Sequence, residues 1–275
     1  MSGSPEIGTS IQAAGLATNV HDTGRDPGGG TVLLIHGSGP GVSAWANWRL
    51  TIPALAERFR VVAPDVVGFG YTERDASRYA LDGWTGHVLG VLDALGIERA
   101  HVVGNSFGGT LALSLAIGHP DRVARLGLMG AVGVPFPITP GLDAVWGYEP
   151  SVEAMRALLE IFTYAPNPQI DELAELRYRA SIQPGFQESF AAMFPAPRQR
   201  ALDAMTHAVE DVRRISAPTI IFHGREDQVI PLSSSLLLLD LIPDAQLHVF
   251  GRCGHWTQIE HAEAFNRLLG DFLDA

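Results

Sequence analysis

At 275 residues, 46% of them hydrophobic and 18% charged, the chain has the length and apolar content for one α/β domain carrying an insertion. A net charge of −11 argues against nucleic acid and anionic membrane partners. Its one cysteine, Cys253, excludes an internal disulfide and fits a reducing cytoplasm, residues 1–20 lack the pattern of a signal peptide, and no apolar run approaches the roughly 18 residues of a membrane span.

Residues 1–10 read as a loose start. Two short strands follow, 11–15 and 16–22, around a turn at Gly15. Thr31 to Ile35 is a continuous apolar run, the mark of a strand buried on both faces. It ends in His36-Gly-Ser-Gly-Pro-Gly41, too rich in glycine for regular structure. A helix is predicted over 45–58, a strand over 60–63 and a helix over 82–95 capped by Gly96. The strand 100–103 and the helix 107–118 come next, then the strand 123–129. Alternation stops at Gly133: residues 134–208 are rich in proline, with amphipathic helices predicted over 151–162 and 171–181. It resumes with the strand 218–222, the helix 232–241, the strand 246–250 and the helix 260–273. The expectation is an α/β fold with a mostly parallel, doubly wound sheet covered on both faces. Residues 1–133 and 209–275 would form the core, and 134–208 a helical cap over the C-terminal ends of the strands.

Gly104-Asn-Ser-Phe-Gly108 joins a predicted strand to a predicted helix and fits G-x-S-x-G. In a nucleophile elbow of this form the serine stands at a strained turn, and flanking glycines relieve the crowded backbone. A glycine-rich turn with an N-cap serine is the plainer reading of five residues alone. A serine nucleophile also needs a base within reach and an acid to hold the base. Two further strand ends supply them: His223-Gly-Arg-Glu-Asp227 after 218–222, and Cys253-Gly-His255-Trp256 after 246–250. Ser106, Asp227 and His255 then stand in the chain order of an α/β-hydrolase triad. Glu226 competes with Asp227 for the acid, and His223 is a weaker base. Asp65 reads as a turn residue and Cys253 as packing. The Phe107 N–H and the Ser38 N–H are the candidate oxyanion donors. No His, Cys and carboxylate spacing calls for a metal.

With these residues in hand, a resemblance becomes specific. The segments 36–49, 104–109, 184–190 and 250–261 resemble the meta-cleavage product hydrolases, α/β-hydrolases that cut a carbon–carbon bond in ring-fission products. The similarity runs from about Glu6 to Phe272 and is closest to the monocyclic branch, the 2-hydroxymuconate semialdehyde hydrolases and alkylbenzene relatives; the segment 134–148 resembles that branch as well. It implies hydrolysis of 2-hydroxy-6-oxohexa-2,4-dienoate or a 6-alkyl analogue, with a plain carboxylesterase on the same triad as the alternative. It further implies that Asn47, Asn105, Arg177 and Trp256 bind the dienoate end, with Arg179 competing with Arg177. It implies a small-molecule substrate, no cofactor, and a cytoplasmic homo-oligomer, a dimer or larger.

Overall fold

Thr31–Ile35 (β3) is apolar from Val32 onward because neither face of that stretch meets water. Val32 and Leu34 pack to one side with Trp48, Ile52, Phe265 and Leu269. Leu33 and Ile35 pack to the other with Val88, Val91 and Leu111. The structure, a computed structural model, describes residues 4–166 and 168–275.

Thr9–Ala13 (β1) and Leu16–Asp22 (β2) form a hairpin turning at Ala14 and Gly15, both at positive φ. The segment expected as one helix over 45–58 is two short helices, Ala44–Trp48 (α1) and Ile52–Leu55 (α2). Pro53 lies in the first turn of α2, where its missing N–H costs nothing, but it cannot continue a helix begun before it. Arg60–Pro64 (β4), Leu81–Ala94 (α3), Ala100–Asn105 (β5), Phe107–Gly118 (α4) and Val123–Met129 (β6) follow within a few residues of expectation.

Between β6 and the next strand, the described residues form Pro140–Trp146 (α5), Val152–Phe162 (α6), Ile170–Ser181 (α7), Phe186–Met193 (α8), Gln199–Asp203 (α9) and Val209–Val212 (α10). Of these, α6 and α7 match the predicted helices, and the others are too short for a clear period. Thr219–Gly224 (β7), Leu232–Leu241 (α11) and Ala245–Phe250 (β8) resume the alternation. A short helix not expected from the sequence, Thr257–Glu260 (α12), precedes the last predicted one, which runs over Ala262–Asp274 (α13).

The sheet order is β1-β2-β4-β3-β5-β6-β7-β8, antiparallel at β1/β2 and β2/β4 and parallel from β4 onward. From β3 the chain steps outward to β4 and then crosses back to β5 on the other side. That reversal opens a crevice beyond the C-terminal ends of β3 and β5, where ligands of doubly wound sheets sit. The loop 36–41 and Ser106 lie there side by side. Among the described residues, no helix is long and apolar enough to cross a membrane.

Candidate active site

The elbow is a consequence of close packing. Ser106 has φ 54° and ψ −114°, a conformation that costs an L-residue of order 1–3 kcal/mol and persists only when its surroundings enforce it. They do so through the main chain. The Ser106 N–H extends the β5/β6 ladder to the Met129 carbonyl at 2.8 Å, and its own carbonyl accepts from Gly109 and Val132. A Cβ at Gly104 would lie 2.1 Å from the Gly108 carbonyl oxygen, and one at Gly108 2.3 Å from that of Ile35. Both glycines are therefore demanded by the approach of α4 to β3 and β5.

Asp227 and His255 meet at 2.7 Å, Oδ2 to Nδ1. A carboxylate only accepts, so the proton sits on Nδ1 and Nε2 is left to face a reacting group. The other Asp227 oxygen accepts from the Val229 and Ile230 N–H groups at 2.7 and 2.9 Å. Burial alone would raise the Asp227 carboxyl. The charge and hydrogen bond of His255, the nearby His223 and the Ile230 N–H outweigh it and hold the group below the usual carboxylate range. His223 lies beneath, fully buried, with Nδ1 on the Ser235 hydroxyl and Nε2 on the Ile230 carbonyl, so both its nitrogens are engaged. Glu226 faces the outside of the loop. It accepts from the Cys253 N–H and pairs with Arg225, bracing the turn that carries His255 without touching the imidazole. Burial pushes the Cys253 thiol up, which suits an inert packing group. Ser106 and His255 line one cavity, and the structure shows no hydrogen bond between them.

Beside Ser106 runs the loop after β3. Asn47 Oδ1 accepts from the Gly37 N–H at 2.8 Å, while Gln258 reaches back to the Asn47 carbonyl. His36 receives the Val66 N–H on Nε2 and donates from Nδ1 to the Gly37 carbonyl. Burial drives its pKa down to about 4, so the ring is neutral near pH 7. Among the described residues, neither the Ser38 N–H nor the Phe107 N–H has a hydrogen-bond partner. Asn105 is buried, with Nδ2 on the Met129 carbonyl and Oδ1 against Gly37.

The helical insertion closes the cavity. Leu142 and Val145 come from α5, Met155, Leu159 and Phe162 from α6, and Leu173 and Arg177 from α7. Arg177 is 8% exposed and makes no ion pair or hydrogen bond among the described residues. Burial lowers its pKa, the Glu6 charge opposes that and Arg49 adds to it; the guanidinium stays charged. Arg179 points outward, pairs with Glu175 at 2.7 Å and is 70% exposed, so the cavity takes Arg177 and leaves Arg179 in solvent. Trp256 lies flat on Phe162, with ring centroids 4.6 Å apart. Sequence reasoning missed Arg49 and Gln258, which also line the cavity. Arg49 follows Asn47 by two residues just past the end of α1, and Gln258 buries an Oε1 with no partner among the described residues. Among the described residues, no group of three or more His, Cys, Asp or Glu side chains is placed to hold a metal ion.

Comparison with known proteins shows the family of the chain. Residues 30–262 match the family described as the alpha/beta hydrolase fold. The chain is 63% identical to a 2-hydroxymuconate semialdehyde hydrolase of Pseudomonas sp. (strain CF600), covering 98% of this chain and 95% of that one. It is 57% identical to a 2-hydroxy-6-oxo-2,4-heptadienoate hydrolase of Pseudomonas putida F1, covering 98% and 97%. The solved structure of a meta-cleavage product hydrolase from Pseudomonas fluorescens IP01 superposes with a TM-score of 0.96 at 60% identity, covering 98% of this chain and 99% of that one.

Proposed function

The chain belongs to the meta-cleavage product hydrolases of the α/β-hydrolase fold, and we propose that Ser106, Asp227 and His255 are the groups with which it works. It is a hydrolase of carbon–carbon bonds in 2-hydroxy-6-oxo-2,4-dienoates, acting in the meta-cleavage route of aromatic catabolism. With a hydrogen at C6, water and 2-hydroxy-6-oxohexa-2,4-dienoate give 2-hydroxypenta-2,4-dienoate and formate; an alkyl group gives a short carboxylate in place of formate.

A carbon leaving group must depart with the bonding electrons, so the dienol has first to become its keto tautomer. His255 Nε2 carries that proton, with Asp227 fixing the tautomer on the far side of the ring. The C6 carbonyl is then attacked by Ser106 or by water that Ser106 assists, and trapping of an acyl-enzyme in a single turnover separates the routes. The Ser38 and Phe107 N–H groups receive the developing oxyanion. Ketonisation has placed the dienol proton on C5, so cleavage of the C5–C6 bond sends electrons along the chain to the C2 oxygen. His255, carrying the proton taken from the attacking hydroxyl, delivers it to that oxygen to give the dienol product. Arg177 takes the carboxylate, its planar fork suited to two oxygens, with Asn47, Asn105 and Trp256 beside the C2 group. Residues 134–208 act as the cap that excludes water from this slot.

The single observation behind this reading is that one cavity holds both a serine at a strained elbow and a buried guanidinium with no hydrogen-bond or ion-pair partner among the described residues. The experiment is a turnover comparison across dienoates with 6-H, 6-methyl, 6-isopropyl and 6-phenyl ends, beside a nitrophenyl ester. The expected result is faster turnover of the 6-H and small-alkyl dienoates; a large preference for the ester would overturn it. The resemblance supports a homo-oligomer, and the single cysteine supports a cytoplasmic setting, tested by sedimentation and by cell fractionation.

A further inference from the structure

Trp146 is the last residue of α5 and is buried. Its indole N–H donates to the Ser38 hydroxyl at 2.9 Å, across from the insertion to the loop after β3. The ring is itself held: it stacks on Phe194 with centroids 4.5 Å apart and planes 7° from parallel. Phe194 then meets Phe107 edge-on at 6.5 Å, and Phe107 in turn meets Trp84 edge-on at 4.9 Å. One aromatic group thus reaches both candidate oxyanion donors, Ser38 through a hydrogen bond and Phe107 through its ring.

On the β3 side the loop's other tethers stop one residue short, and beyond Ser38 the Gly39 carbonyl accepts only from Val42, within the loop itself. Asn47 and His36 both fix Gly37, through its N–H and its carbonyl. Beyond Ser38 come Gly39, without a side chain, and Pro40, without an N–H to donate. Among the described residues, the indole is the sole hydrogen-bond partner of Ser38.

We propose that Trp146 is a positioning residue of the reaction, fixing the Ser38 end of the oxyanion hole from the insertion side. This rests on the reading of the Ser38 and Phe107 N–H groups as oxyanion donors. A donor that stabilises charge only in the transition state acts on kcat and leaves substrate affinity alone. Loosening such a donor costs less than removing it, and removal costs roughly 10²–10³ in rate.

The test is a double-mutant cycle on the 6-H or 6-methyl dienoate. Trp146→Phe keeps an aromatic ring against Phe194 and removes the N–H. Ser38→Ala removes the acceptor and keeps the backbone donor. Each single variant is expected to lose about tenfold in kcat with KM within about twofold of the parent, and the double variant to lose no more than the worse single one. Losses that multiply would mean that the indole acts by packing alone and would overturn the proposal, as would a full kcat in Trp146→Phe or a change confined to KM. Thermal midpoints establish that the variants fold; should Trp146→Phe not fold, a full kcat in Ser38→Ala overturns the proposal by itself. A parent enzyme inactive on the dienoate would instead overturn the functional reading, so the two failures are told apart.

Discussion

The sheet-borne and insertion-borne halves of the cavity are held in place by different means. On the sheet side, each chemical group stands a few residues beyond a strand end and is fixed through main chain. Ser106 is locked by bonds to Met129, Gly109 and Val132, and Asp227 by two backbone N–H groups. On the insertion side, the walls are side chains of amphipathic helices, and their position depends on how those helices dock. Specific contacts anchor them, three of which show the pattern. The Phe162 carbonyl accepts the His255 N–H at 2.8 Å, the loop at Gly41 packs on the backbone of α7, and Tyr148 bonds the Ser181 hydroxyl at 3.0 Å. The contrast teaches where tolerance would lie: the groups proposed to make and break bonds sit on the half fixed through main chain, while those proposed to bind the dienoate end sit largely on the half whose position depends on helix docking.

Substitutions on the sheet-borne half should break the reaction itself. Ser106→Ala is expected to lower kcat on the dienoate by about 10³-fold or more, with the thermal midpoint preserved. Near-normal turnover would remove Ser106 from the chemistry. Asp227→Asn should come next, at about 10²–10⁴-fold in kcat. An amide either turns its NH₂ toward His255 and forces the wrong tautomer, or turns it toward the Val229 and Ile230 N–H groups and leaves them unpaired. A loss below about threefold in the pure variant would show that the pair is structural only.

Arg177→Gln sharpens the comparison from the other side. It is expected to lower kcat/KM about 10–100-fold, mostly through KM, because a buried charge-assisted pair with the carboxylate is removed. Arg179→Gln, on the same helix but exposed and paired with Glu175, should leave both constants unchanged. Equal losses in the two variants would show that general positive charge, and not the cavity position, is what matters.

The smallest effect concerns acid stability and belongs to the sheet side. Burial lowers His36 and His87 to about 4, from 6.5 in the unfolded chain. Both accept a backbone N–H from the loop after β4, His36 from Val66 and His87 from Val67. Between pH 6.5 and 4 the unfolded chain therefore binds protons that the folded one refuses, and stability is lost as pH falls through that window. Asp65 runs the other way. Burial lifts it to about 6 despite hydrogen bonds from Ala44, Tyr71 and Asn19, so it takes up its proton in the folded state. With two histidines against one carboxyl, the urea midpoint is expected to fall between pH 6.5 and 4.5 and to fall less in His87→Gln. A midpoint that rose on acidification would contradict the assignment of these rings as neutral.

Much of this molecule was determined by local sequence. Doubly buried strands need unbroken apolar runs, the elbow needs its glycines, and triad loops must follow strand ends, so Ser106, Asp227 and His255 were legible from a few neighbours each. The break of the predicted helix 45–58 at Pro53 was equally local, and a closer reading of that proline would have found it. Tertiary structure alone decided the remainder. Arg177 and Arg179 are two residues apart on one helix, about 200° around its axis, and only docking sends one inward and one out. The same holds for Arg49 and Gln258 at the cavity wall, and for the indole of Trp146 reaching Ser38 across more than a hundred residues of chain. Periodicity tells which face of a helix is apolar, but the partner of that face is set by packing between distant segments, which no local pattern encodes.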